Sequence, residues 1–376
     1  MAGWKKVKLE DVALLKAGKF ISAQMIAAKQ DPVNIYPCFG GNGTRGFVPN
    51  FSHEGFFPII GRQGALCGNV NLAQGKFYAT EHAVVASPKN GNNSIWLYYA
   101  LLFANLNQYA TGQAQPGISV ETINKVAFLL PPLEEQKKIA ATLSVWDSAI
   151  EKMEKLIDAK ENHFNQLMNK LIVINSSNSK WNTFALKNVF EVVNRKNKNG
   201  NTNILTSSAQ YGLVNQQEYY KKKIASSNTS GYYLLKKGDF AYNRSYSTGY
   251  PYGVVKRLDK YELGVLSTLY LCFSLKKEYQ SYSDFFVFLF ESGCLNNQLA
   301  LICREGARNH GLLNVSKEDF FNMKVQLPNE KEQQSIVCIL HNHSLELSLL
   351  KQQLENYKKQ KQGLMQKLLT GQWRVK

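Results

Sequence analysis

Apolar side chains recur in two rhythms along this chain. Through residues 139–171 they fall three and four positions apart, at Ile139, Leu143, Trp146, Ile150, Met153, Ile157, Phe164, Leu167 and Leu171, with Lys160 the one break. The rhythm returns at Ile336, Leu340, Leu347, Leu350, Leu354, Tyr357, Leu364 and Leu368, interrupted by His343 and Lys361. Such a seam packs one long helix against another, so two long helices are predicted. Pro132 suits a first helical turn, and Glu134 and Glu135 favour the positive end of the helix. Asn329 and Glu332 have capping-box spacing. The polar stretch 175–179 is expected to end the first helix, and Gly371 the second. Elsewhere the apolar runs are short. Residues 58–61 close on Arg62 and residues 239–243 on Arg244; both read as strands, as do 77–87 and 265–274. Apolar helices are predicted at 95–106 and 284–291.

The two halves repeat. Leu130-Pro131-Pro132-Leu133-Glu134-Glu135-Gln136 and Leu327-Pro328-Asn329-Glu330-Lys331-Glu332-Gln333 stand 197 positions apart. The same offset pairs Ile139 with Ile336, Leu143 with Leu340, and Leu167, Met168, Lys170 and Leu171 with Leu364, Met365, Lys367 and Leu368. Upstream, Trp4 to Val12 corresponds to Trp181 to Val189, and Thr80 to Thr268. A polar glycine-containing loop closes each long segment, at 112–117 and 306–311. A repeat of this length is an architectural statement. The expected fold is α/β (α+β). Two similar mixed-sheet domains, 1–131 and 177–327, are separated by two long antiparallel coiled-coil helices, 132–176 and 328–376, in a pseudo-twofold repeat. A helix of some forty residues is about 60 Å long at ~1.5 Å per residue.

Charge adds a partner. The chain carries a net +17, and the excess is uneven. Residues 1–131 hold 11 basic and six acidic side chains and residues 181–327 hold 19 and 11, whereas 132–180 is balanced at seven and seven. Basic globular segments point to a polyanion, usually nucleic acid. Two similar basic domains suit two recognition patches on double-stranded DNA, with half-sites that differ because the domains differ. The six cysteines are scattered, which fits free thiols in a reducing cytoplasm, and no apolar run reaches the ~18 residues of a membrane span.

With the twice-repeated LPPLEEQ and LPNEKEQ openings, the Leu167–Leu171 and Leu364–Leu368 helix ends, the Trp4 and Trp181 domain starts, and Gly61-Arg62-Gln63-Gly64, the chain resembles the specificity subunit of type I restriction-modification systems. The resemblance covers essentially the whole chain. It implies two target-recognition domains reading the halves of a gapped DNA site. It implies two methyltransferase subunits that modify adenine using S-adenosylmethionine, and restriction-translocase subunits that use ATP and Mg. It implies no catalytic centre, cofactor or metal in this chain.

For DNA contact the candidates are Asn42, Arg45, Arg62, Gln63, Gln113 and Gln115 in the first half, and Asn243, Arg244, Tyr246, Arg308, Asn309 and His310 in the second. Arginine pairs bidentately with guanine and the amides with adenine; loops supply such groups, which order on DNA. The glycine-rich 40–46 stretch lacks the phosphate-loop pattern and reads better as a turn. Glu135, Gln136, Glu332 and Gln333, being repeated, are expected to dock partner subunits. The tyrosines at 242, 250 and 252 read as core. No motif of an amino-methyltransferase, dinucleotide site, metalloprotease or NTPase is present. The competing classes are a coiled-coil scaffold, which would not need basic domains, and a self-contained methyltransferase or nuclease, which would need a cofactor loop or paired carboxylates outside the helices.

Overall fold

The computed structural model describes residues 3–112, 116–178, 181–220, 228–246, 249–303 and 313–375. The chain divides into two compact units, Met1–Leu156 with Lys351–Lys376, and Ile157–Leu350.

In the first unit, strand Lys5–Lys8 pairs antiparallel with Ala127–Leu130, so the start of the domain is stitched to its end. A single helical turn, Leu9–Val12, then feeds a six-stranded sheet. Its order is Ala13–Ala17, Ala83–Pro88, His53–Gly61, Val70–Ala79, Tyr36–Gly40, Gly43–Val48. All neighbours are antiparallel except Val70–Ala79 with Tyr36–Gly40. The apolar helix predicted near residue 95 is Ser94–Phe103. Asn93 caps it by accepting from the Trp96 N–H at 2.9 Å. Trp96, Leu97 and Leu101 on this helix are fully buried, and they share a core with Trp4, Leu9 and Ile123. A smaller cluster of Phe39, Ile59, Phe77 and Val85 fills the other part of the sheet.

The second unit repeats this plan with different side chains. Asn182–Ala185 pairs antiparallel with Lys324–Leu327, a helical turn Leu186–Val189 follows, and a four-stranded sheet has the order Phe190–Val192, Leu271–Leu275, Phe240–Asn243, Val254–Arg257. These four strands correspond, in order and direction, to the first four of the other sheet. The core is built on phenylalanine: Phe190 lies within 5.8 Å, ring centre to ring centre, of Phe240, Phe273, Phe286 and Phe290.

Both long helices form as the heptads require, Leu133–Met168 and Glu330–Leu369. Gly371, at φ +69, ends the second. The first reaches into its polar stretch: helical backbone is described as far as Asn178, and Asn182–Ala185 is already strand. A π-helical segment, Asn169–Ile174, re-phases it so that Ile172 is buried, and helical backbone continues as Asn175–Asn178. The helix ends also belong to the domain cores: Ile139, Leu143 and Leu368 to the first unit, Met168, Ile172, Ile336 and Leu340 to the second.

Within each unit the helices pair antiparallel, and the polar breaks in the seams are answered. In the first unit Lys361 pairs with Asp147, which also accepts from the Tyr99 hydroxyl at 2.5 Å. Lys358 meets Glu154 at 2.8 Å, and Trp146 packs edge-on to Tyr357. In the second, Lys160 meets Glu346 at 2.7 Å, and the rings of His163 and His343 lie 5.5 Å apart. Polar pairs at seam positions fix register. Among the described residues no single helix is long and apolar enough to cross a membrane.

Candidate nucleic-acid interface

Strand His53–Gly61 delivers Arg62 and Gln63 to one end of the first unit's sheet. The backbone here is packed too closely for side chains: a Cβ on Gly61 would overlap the Gly41 carbonyl oxygen. Gly41-Asn42 is the two-residue turn between Tyr36–Gly40 and Gly43–Val48, so the glycine stretch is a hairpin. Gly43 takes φ +89 to close it. Asn42 at its tip is exposed, and its Oδ1 accepts from Asn69 Nδ2 at 2.8 Å. Asn71 lies beside Gly43, its Oδ1 3.4 Å from where a Cβ would stand. The Arg62 N–H donates to the His82 carbonyl at 3.2 Å, which brings His82 to the same corner. Arg45 is exposed, and the aliphatic part of its side chain lies over Gly40.

The stem of the late polar loop docks on this corner. Thr111 and Gly117 bond each other, Gly64 donates to the Pro116 carbonyl at 2.9 Å, and Ile118 donates to the Arg62 carbonyl at 3.0 Å. Gln113 and Gln115 lie outside the described residues. Three buried polar atoms here, Arg62 Nε, Thr80 Oγ1 and Glu81 Oε2, have no partner among the described residues. The site is thus polar, glycine-scaffolded and rich in unspent hydrogen-bonding capacity.

The second unit has the equivalent junction. Phe240–Asn243 ends at Arg244, whose carbonyl accepts from Leu313 at 2.8 Å, as Arg62 accepts from Ile118. The side chains differ. The Arg244 guanidinium is spent on main-chain carbonyls, on Leu269 at 2.8 and 3.2 Å and on Val315 at 3.2 Å. Arg244 therefore pins the chain after the late loop to the chain after Thr268. Asn243 Oδ1 caps the next turn by accepting from Ser245. Tyr246 is 64% exposed, whereas Tyr242 is buried, donating from its hydroxyl to the Tyr252 carbonyl at 2.6 Å. Arg308, Asn309 and His310 lie outside the described residues.

The repeated Glu-Gln pairs correct a sequence expectation. Glu135, Gln136 and Gln333 are buried and Glu332 is half-buried; none forms an exposed docking face. Their polar atoms are used inside their own units. Glu135 accepts from the Trp4 indole at 2.9 Å, and Glu332 from the Trp181 indole at 3.1 Å. Gln136 donates to the Pro131 carbonyl and Gln333 to the Pro328 carbonyl. The motif ties the start of each long helix to the first tryptophan of the same domain. In the first unit Arg374 adds a two-pronged pair to Glu135, at 2.6 and 2.8 Å. Burial opposes the charge on Glu135, but hydrogen bonds from Arg374 and Trp4 outweigh it and hold the carboxyl below the usual carboxylate range.

The structure brings the sequence candidates Asn42, Arg62 and Gln63 to one corner together with Asn69, Asn71 and His82, which the sequence did not single out. The signal available was Gly61, Gly64 and Gly68 around Arg62, the mark of a close-packed turn that brings the following strand back to the same place. Among the described residues no group of three or more His, Cys, Asp or Glu is placed to hold a metal.

Comparison with known proteins agrees with the repeat. The family described as type I restriction modification DNA specificity domain matches twice, over residues 1–162 and 178–358. The specificity subunit of the type I restriction enzyme EcoprrI of Escherichia coli is 47% identical over 144 residues, 38% of this chain and 36% of the relative. The match thus spans about a third of that relative's length. The type I restriction enzyme MjaVIII specificity subunit of Methanocaldococcus jannaschii is 24% identical over 309 residues, covering 76% of this chain and 71% of the relative. The crystal structure of the S subunit of a type I restriction-modification system from M. genitalium superposes with a TM-score of 0.63 at 17% identity, over 97% of this chain and 96% of the other. At that identity it shows a shared fold.

Proposed function

Because the chain belongs to the type I restriction modification DNA specificity family, we propose that it reads a two-part, gapped sequence in double-stranded DNA on behalf of a larger enzyme complex, and performs no chemistry itself. The observation that carries this reading is the duplicated junction. In each unit an arginine-terminated strand bonds through its carbonyl to the backbone that leaves a polar loop. One scaffold thus presents two different sets of polar groups: amides around Asn42 in the first, and Asn243 and Tyr246 in the second. Two presentations of one plan suit two unlike half-sites. The basic excess of both globular segments supplies the sequence-independent phosphate attraction.

The partners we propose are two methyltransferase subunits, bringing S-adenosylmethionine, and restriction subunits, bringing ATP and Mg, in a cytoplasmic assembly. The helix openings are used internally, so docking passes to the faces of the long helices. There Val145 and Leu156 in the first unit and Ile339, Leu345 and Leu349 in the second are at least two-fifths exposed. Apolar side chains exposed at helical spacing suit a partner helix.

The test is methylation sequencing of cells that express the chain with a methyltransferase subunit of this family. A two-part motif with a fixed gap is expected. A stable complex that leaves no methylated motif would turn the reading toward a scaffold.

A further inference from the structure

We propose that Asn42, Asn69 and Asn71 read an adenine in the half-site of the first unit, through its major-groove edge; this rests on the DNA-recognition reading above. Asn42 and Asn69 are both exposed, and they are joined by one hydrogen bond from Asn69 Nδ2 to Asn42 Oδ1, 2.8 Å long. That bond fixes both amides and leaves Asn42 Nδ2 as a donor and Asn69 Oδ1 as an acceptor. A donor and an acceptor side by side complement adenine, whose N7 accepts and whose N6 donates; the acceptor pair of guanine and the single groups of the pyrimidines do not match as well. Asn71 stands at Gly43, the residue after Asn42, and no partner for its amide is found among the described residues.

Three further features favour reading over a purely structural lock. Glycine at 41 and 61 lets the hairpin turn pack against the end of the strand His53–Gly61, where a Cβ on Gly61 would meet the Gly41 carbonyl oxygen, so the turn that carries Asn42 is held in place. Asn71 lies in the strand Val70–Ala79, its register fixed opposite Ile59, and Asn69 immediately precedes that strand beside the buried Val70, so these two amides are positioned by the sheet. Gln63 is exposed on the same corner, and Arg62 Nε is without a partner among the described residues, so further polar groups surround the amides.

The experiment uses the full chain purified with a methyltransferase subunit of its family, and selects bound duplexes from a random-sequence DNA library. Three proteins are compared: wild type, Asn42→Asp and Asn71→Ala. Asn42→Asp keeps the acceptor for Asn69 and removes the donor, so a structural lock survives it while the adenine contact does not. The wild type is expected to select a two-part motif with adenine fixed in one half. Both variants should lose about tenfold of the preference for that adenine, keep the other half, and melt within a few degrees of the wild type. Variants that select the wild-type motif, or that weaken both halves equally, overturn the assignment, as does a first half without adenine. A wild-type complex that selects no motif overturns the DNA-recognition reading itself.

Discussion

Arg62 and Arg244 stand at equivalent strand ends, yet they have different work. Arg244 holds two carbonyls with its guanidinium, and Arg62 keeps a buried Nε without a partner among the described residues. Removing the pin should cost about 1–3 kcal/mol, because the buried residue Val315 and the more exposed Leu269 both lose a charged donor to their carbonyls. Arg244→Ala is therefore expected to lower the melting temperature by several degrees, and Arg62→Ala to leave it nearly unchanged while weakening DNA binding; calorimetry on both variants decides. Glu135 gives a pH signature. Its folded-state pKa lies below its ordinary value of 4.5. The stability it lends is complete above pH 4.5 and is lost as pH falls through the lower folded value. The melting-temperature gap between wild type and Glu135→Gln should thus be full at pH 6 and shrink on acidification toward pH 3. A constant gap would remove the Glu135 charge from the account. The equivalence of the two arginines was legible in sequence, because both close an apolar run before a glycine- or serine-rich turn. Their divergence was not, since it depends on Leu269 and Val315, residues brought to Arg244 by the fold.

The elements were the most legible level. Heptad spacing fixed both long helices, and the capping-box spacing at Asn329 is realised by its bond to the Glu332 N–H at 3.0 Å. The polar stretch after Ile174 marked where the first helix gives way to strand, but the π-helical segment before it was not legible, because it absorbs a phase change that periodicity alone cannot represent. The interruptions at Lys160 and Lys361 became intelligible only with Glu346 and Asp147, which face them from the other helix. Asp147→Ala leaves Lys361 without its carboxylate and the Tyr99 hydroxyl with only the longer bond to Ser144 Oγ, 3.3 Å, and should destabilise the chain by about 1–3 kcal/mol, measured by urea unfolding. Asp147→Asn, which keeps an acceptor for Tyr99, should recover part of that loss. Both long helices pass from one unit into the other, so seven residues added to each extend them by about 10 Å, or about three base pairs. The methylated motif should keep both halves and gain a correspondingly longer gap. An unchanged gap would separate helix length from spacing.

For the whole molecule, charge and repeat make separate contributions. Charge gives affinity that falls with salt, the logarithm of the binding constant declining by ~0.9 for each phosphate neutralised per unit of log salt. A complex binding duplex DNA through basic domains should show a steep slope in anisotropy titrations; a scaffold would show none. On the proposed reading the repeat divides specificity between two halves; the repeat itself was readable because the Leu-Pro…Glu-Gln openings recur at one offset without a gap. The role of those openings was not readable. Repetition signals equivalence, and only burial and the Trp4 and Trp181 bonds distinguish an internal joint from a docking face. The central claim, that each unit reads its own half of one gapped site, is tested most directly by methylation sequencing of three strains. One carries the wild-type chain, one Arg62→Ala with Gln63→Ala, and one Asn243→Ala with Tyr246→Ala, each beside a methyltransferase subunit of this family. The account predicts a two-part motif in the first strain, with one half degraded in the second and the opposite half in the third. Degradation of the same half by both pairs, or of both halves together, would contradict it.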